Sequence, residues 1–258
     1  MAAGLFCGAI LGRAASAADA AFEKLARECI EELLVNDPEG ATSLGDHRFD
    51  DRLSDYSVAG RQKLEAGLRR ELAALQKIDP SALTGANRID ARILRNNLES
   101  DIFELTEERH FEWNPLSYNR SLANSIYPFT SREFAPAAQR LRSAIHRLEA
   151  MPRVIEQIKA NLRNPPRIHT ETAIQQTTGA INLVRTGLDP LLAQAPELKA
   201  ALGPAQAGAL AALTAYKEWL EKDVLPQAKG DFRLKPDAAV RGMKGFEAIK
   251  VEEIGIKK

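Results

Sequence analysis

Between Leu44 and Ser57 the chain concentrates side chains able to bind cations or move protons: Asp46, His47, Arg48, Asp50, Asp51, Arg52 and Asp55. A carboxylate beside an imidazole can work as a general acid and base, and clustered carboxylates can hold a cation. The spacing is not that of a calcium loop, which alternates oxygen ligands and closes on a Glu. Arg48 and Arg52 also offer the acids internal partners. The stretch therefore reads either as a salt-bridged structural loop or as a substrate-side loop. On the second reading Asp46, His47, Arg48, Asp50, Asp51 and Arg52 are candidate groove residues, joined by Tyr118. Tyr127 could line the same groove, although a tyrosine more often places its ring in a core and its hydroxyl at the edge.

A second fragment of chemistry is Glu107-Glu108-Arg109-His110. Glu-x-x-His puts both side chains on one helix face, and carboxylate-bridged di-iron bundles use this spacing twice, with two further Glu. A second copy is absent, so a solvated helix end carrying a favourable His is the simpler expectation. His146 and Glu149 repeat the spacing in reverse, as a surface pair would. None of the four histidines opens an H-E-x-x-H sequence. The chain has no Walker-type phosphate loop, no G-x-G-x-x-G and no G-x-S-x-G nucleophile elbow. No residue qualifies as catalytic or as a metal ligand, and no cofactor is expected in this chain. Cys7 and Cys29 form no C-x-x-C pair; Cys29 falls at an apolar helix position, as a buried thiol does.

Charge narrows the classes further. The chain has 35 basic and 35 acidic residues, without the basic excess of a dedicated nucleic-acid binder. Residues 2–11 form a short apolar run, followed by Arg13 and the small-x-small pattern Ala15-Ser16-Ala17. This reads as a secretory signal peptide over residues 1–17, although no Lys or Arg precedes the run. The expected destination is the periplasm or the exterior. The run is too short to span a bilayer, so no membrane span is expected in the mature chain.

The elements that must position these residues are helices. Apolar residues recur every three or four positions almost throughout, and aromatic content is only 6%, so the fold class is all-α. Helices are expected over about 19–35, with stripe Phe22, Leu25, Cys29, Ile30, Leu33 and Leu34, and over 58–78, capped by Ser57. A third runs from a Thr84 cap to about His110, with face Ile89, Ile93, Leu94, Leu98, Ile102 and Leu105. Short turns suggest antiparallel neighbours in a bundle, elongated or V-shaped. Residues 112–118 read as a loop and 118–126 as a short helix broken by Pro128. Thr130 or Ser131 should cap the next helix, which should end at Met151 so that Pro152 opens another. Thr170 should open a long helix that Pro190 kinks or interrupts. Gly203-Pro204 should stop and restart the chain before a last helix to about Leu225. One helical domain over 18–234 is followed by an irregular, weakly ordered tail over 235–258.

The order of these segments resembles the N-terminal half of a bacterial family catalogued as domain of unknown function 885. The resemblance covers about residues 22–234. It is carried by residues 44–55 (LGDHRFDDRLSD), by Asn114-Pro115-Leu116-Ser117-Tyr118, by Arg147-Leu148 with Met151-Pro152, and by Gly230-Asp231-Phe232-Arg233-Leu234. The first motif is the most specific; the others count mainly through their order. Family members look like exported helical zinc metallopeptidases more than twice this length, with an H-E-x-x-P-G-H motif in the C-terminal half. This sequence stops before that motif, so no zinc ligand or catalytic Glu carries over. The resemblance implies a channel-wall segment of a secreted metallopeptidase-like hydrolase with peptide substrates, inactive alone, whose partner is the missing C-terminal half. Zinc is then expected only in a complete member. The alternative is a non-catalytic helical binding or scaffold protein.

Overall fold

The computed structural model describes residues 16–233. Most of the expected signal peptide, residues 1–15, and the expected tail 235–258 lie outside the described residues. Every regular element among the described residues is helical, as the aliphatic periodicity predicts.

The helices build two apolar cores. The smaller joins α1 (Ala17–Asn36), α3 (Val58–Leu75) and α4 (Gly85–Phe103) through Phe22, Leu25, Cys29, Leu68, Leu75 and Leu98. The larger surrounds α7 (Ala137–Asn161), which packs on α10 (Lys199–Trp219) and α9 (Asp189–Gln194). There α8 (Arg167–Thr186) lies against α10 and α5 (Pro115–Asn124), with the short α6 (Tyr127–Ser131) beside α7. The short α2 (Pro38–Leu44) touches both α1 and α5, and so links the cores.

Local chemistry explains the starts. Ser16 caps α1 in a reciprocal box with Asp19, satisfying two backbone donors at once. Asp19 is buried and also accepts from the Thr84 backbone, the Thr84 hydroxyl and Asn87. The hydrogen bond from the Thr84 backbone, with those of its neighbours, holds the Asp19 carboxyl well below the usual range. Ser57 caps α3 as expected.

Several expectations need correction. Thr84 stands at the N-cap of α4 as expected, but its side chain makes no cap hydrogen bond and its hydroxyl donates to Asp19 instead. Ile30, Leu33, Ile89 and Ile93 face outward instead of joining their stripes; the buried arc of each helix is narrower than its run of apolar residues. Asn114-Pro115 begins a helix in place of the expected loop, since Asn114 accepts from Leu116 N–H and Pro115 fits the first turn. Thr130 and Ser131 donate their hydroxyls to the Tyr127 carbonyl and cap nothing. Asp37-Pro38 both ends α1 and starts α2.

Helix α7 runs through Pro152 without a break, and α10 runs through Pro204. An interior proline costs about 3 kcal/mol. In α7 that cost is outweighed by burying Leu141, Ile145, Leu148, Met151, Val154, Ile155 and Ile158 on one face, at about 1.5–3 kcal/mol each. Pro190 does separate α8 from α9, as predicted.

After Gln227 the chain folds back over the α7–α8 connection. Lys229 and Gly230 donate their N–H groups to Asn164 and Pro165. A Cβ at Gly230 would fall 2.0 Å from the Asn164 carbonyl oxygen, a contact that forces the backbones apart. Phe232 stacks on His169 at 5.3 Å, and His169 on Trp113 at 5.8 Å. Gly230→Ala should therefore detach residues 229–233. Hydrogen exchange should accelerate at Lys229 and at position 230, and the melting temperature should fall by only a few degrees because the segment is largely exposed.

Candidate functional site

The acidic loop is organised around a buried cation. Arg147 lies on α7 and its side chain is fully buried. Its Nη1 donates to the Ser125 carbonyl at 3.1 Å, and its Nη2 to the Pro38 carbonyl at 3.0 Å and to Thr42 Oγ1 at 2.7 Å. The Phe49 carbonyl sits at the edge of the same fork, 3.4 Å away, and the guanidinium lies 5.0 Å from the Phe129 ring centroid. Thr42 Oγ1 in turn approaches Asp50 to 2.6 Å, and Asp50 meets His47 Nδ1 at 3.0 Å. The His47 ring stacks on Phe134 at 3.7 Å, nearly parallel.

Glu39 completes this buried set, receiving the Ser54 hydroxyl at 2.6 Å and the Ser54 N–H. Burial pushes the Glu39 carboxyl up, against the pull of Ser54 and Arg147. Burial likewise lowers the Arg147 guanidinium, but an arginine stays charged in a protein. At the surface Arg48 bridges Asp46 and Glu31 of α1, and Asp51 lies 3.7 Å from Arg52. Of the residues singled out in this loop, Asp46, His47, Arg48 and Asp50 are thus engaged within the protein, and Asp51 and Arg52 face each other, with Arg52 over the Phe49 ring. Arg147 was not among them. Its signal was present, because Arg147 occupies the same stripe as Leu141, Ala144, Leu148 and Met151, where a charge must be buried.

Tyr118 belongs to a different place. It is buried beneath a groove of about 450 Å³ between the start of α3, the turn His110–Glu112 and the end of α7. Tyr118 donates its hydroxyl to the Phe111 carbonyl at 2.8 Å and packs edge-on against Tyr56 at 5.1 Å. Burial pushes its phenol up to about 12. Asn161 donates to the Tyr118 oxygen at 3.1 Å and to the Tyr56 carbonyl at 2.8 Å. Arg61 donates to that same carbonyl at 2.6 Å and to Asn161 Oδ1 at 2.7 Å, with its guanidinium 4.3 Å from the Phe111 ring centroid. Arg153 and Arg163 stand at the rim. Tyr127 is exposed and lines neither place.

The described residues do not fit a zinc site, which needs three protein ligands converging on one point. His47 is spent on Asp50 and Phe134, and His110 lies 3.6 Å from Glu104. His146 pairs with Glu149 at the surface, and His169 is stacked between Trp113 and Phe232. Among the described residues no three His, Cys, Asp or Glu are placed to hold a metal ion. The Glu107–His110 spacing does not survive as one helix face, because Arg109 adopts the left-handed region at φ 51° and breaks the helix between them. No helix among the described residues is long and apolar enough to cross a membrane.

The fold is similar to that of a solved protein described as "a putative lipoprotein of unknown function from Shewanella oneidensis". The two share 29% identity with a TM-score of 0.71 over 78% of this chain, which spans 37% of the other chain's length. No curated protein matches. The model of a bacterial family of unknown function, DUF885, matches residues 38–248. That match takes in the Arg147 cluster and the groove together, and the chain belongs to the DUF885 family of bacterial proteins of unknown function.

Proposed function

We propose that this chain is one helical wall of the substrate channel of an exported, metallopeptidase-like hydrolase acting on peptides. It corresponds to the N-terminal part of that architecture. It contributes binding surface, holds neither the metal nor the groups that activate water, and is inactive alone. The supporting observation is the partial correspondence: this chain overlays most of its own length on a solved chain of which it spans 37%. A channel wall must present shape and charge to a substrate while drawing its own rigidity from elsewhere. The groove beside Arg61 offers the first, and the Arg147 cluster the second.

Zinc analysis and a peptide-cleavage assay on the purified chain test this reading. The expected result is zinc far below stoichiometric and no cleavage of a mixed fluorogenic peptide pool, with or without added zinc. Stoichiometric zinc together with cleavage would contradict it.

A further inference from the structure

Arg61 is a half-buried cation with no contact ion pair; Glu112, on the same groove, acts on it only from a longer range. No carboxylate among the described residues lies within ion-pair distance of it. Its two protein acceptors, the Tyr56 carbonyl and Asn161 Oδ1, both take the same nitrogen, Nη1. The nearby Glu112 is occupied by Arg109 at 2.5 Å and Arg163 at 3.7 Å. On the rim, Glu156 is paired with Lys159 at 3.0 Å. The groove therefore keeps a positive balance, and the guanidinium is held in one orientation by two acceptors and the Phe111 ring. A planar fork with donors to spare is suited to a carboxylate. Both hydrogen bonds to protein fall on Nη1, so the rest of the fork is available to an acceptor brought by a ligand.

We infer that the groove beside Arg61 binds the free C-terminal end of a peptide, with Arg61 receiving the carboxylate and Val58 and Phe111 facing the last side chain. The cavity, about 450 Å³, lies within the range of small-ligand sites. In a C-terminal residue the carboxylate and the side chain branch from one Cα, so an anion site directly beside an apolar wall matches it. The carboxylate of an internal Asp or Glu has no apolar group at that distance, and a phosphate has none at all. The peptide class rests on the channel-wall proposal; the carboxylate site rests on Arg61.

The test is calorimetric titration of the full chain with four probes: N-acetyl-Ala-Phe, its C-terminal amide, N-acetyl-Ala-Glu amide and inorganic phosphate. The free acid should bind about tenfold tighter than its amide, the value of one charge-assisted hydrogen-bonded pair. The Glu amide and phosphate should bind no better than the Phe amide. Arg61→Gln should abolish the preference for the acid, and Arg61→Lys should restore part of it. Equal affinity for acid and amide in the unaltered protein would overturn the inference, as would equally tight binding of phosphate or the Glu amide. That comparison needs no variant to fold. Zinc-dependent cleavage by a chain that still prefers the acid would sink only the channel-wall proposal. An inert chain that ignores the acid would sink only the carboxylate site.

Discussion

Arg147→Leu is expected to destabilise the protein by about 3–5 kcal/mol, the range seen when one partner of a buried charged network is removed. Leucine roughly fills the stem's volume on α7 but donates nothing. The Ser125 carbonyl and the Thr42 hydroxyl oxygen then lose a buried donor, while the Pro38 carbonyl keeps only the Thr42 hydroxyl. Each unsatisfied buried acceptor costs about 1–3 kcal/mol. Glu39, already pushed up by burial, loses the positive charge that opposes the push. Urea denaturation should show the midpoint falling with little change in slope. Hydrogen exchange should show residues 38–55 opening first. Arg147→Lys should recover only part of the loss, since one ammonium cannot span three acceptors from two directions. A Leu variant as stable as the parent would mean that the loop is held by its surface ion pairs instead.

Glu71→Gln should do the opposite and stabilise the protein above neutral pH. Glu71 is buried on α3, and its Oε1 has no hydrogen-bond partner among the described residues. Burial, reinforced by the Glu32 and Asp101 carboxylates, pushes Glu71 up to about 7, against Arg70 and the Cys29 thiol. A carboxyl whose folded value is raised binds more protons in the native state than in the unfolded one. Its contribution is therefore fully present below about pH 4.5 and is lost as pH rises to about 7. The unaltered protein should lose about 1–3 kcal/mol across that interval from this group. Glu71→Gln should flatten the profile and raise stability at pH 8 by a similar amount, read from urea midpoints at pH 5 and 8. The same burial pushes the Cys29 thiol up to about 12, so Cys29 should react slowly with thiol reagents at pH 8 in the folded protein.

The contrast between Arg147 and Glu71 also marks how far the sequence could be read. The all-α class was legible because nearly every stripe steps by three or four, and Cys29 and Ser57 stand where their helix positions place them. Pro152 and Pro204 misled, because a proline's local penalty is fixed while the burial that overrides it depends on partners remote in sequence. Thr84 misled for a related reason: its hydroxyl had an acceptor 65 residues away in Asp19. The acidic loop drew notice through its composition, yet the residue that organises it lies about a hundred positions downstream, disguised as an ordinary helix charge. Arg61 and Asn161 were equally quiet. Both sit on helix stripes, and only the approach of α3 to the end of α7 brings them together with Phe111 and Tyr118.

Two neighbouring places therefore divide the work: a cluster around Arg147 that holds the acidic loop, and a groove around Arg61 that faces ligand. The most direct measurement of that division is hydrogen-exchange footprinting of the full chain with N-acetyl-Ala-Phe. The account predicts added protection in residues 56–61, 110–112 and 157–163, with residues 46–52 unchanged. Protection centred on residues 46–52, with the Arg61 groove unaffected, would contradict it and return the ligand to the acidic loop.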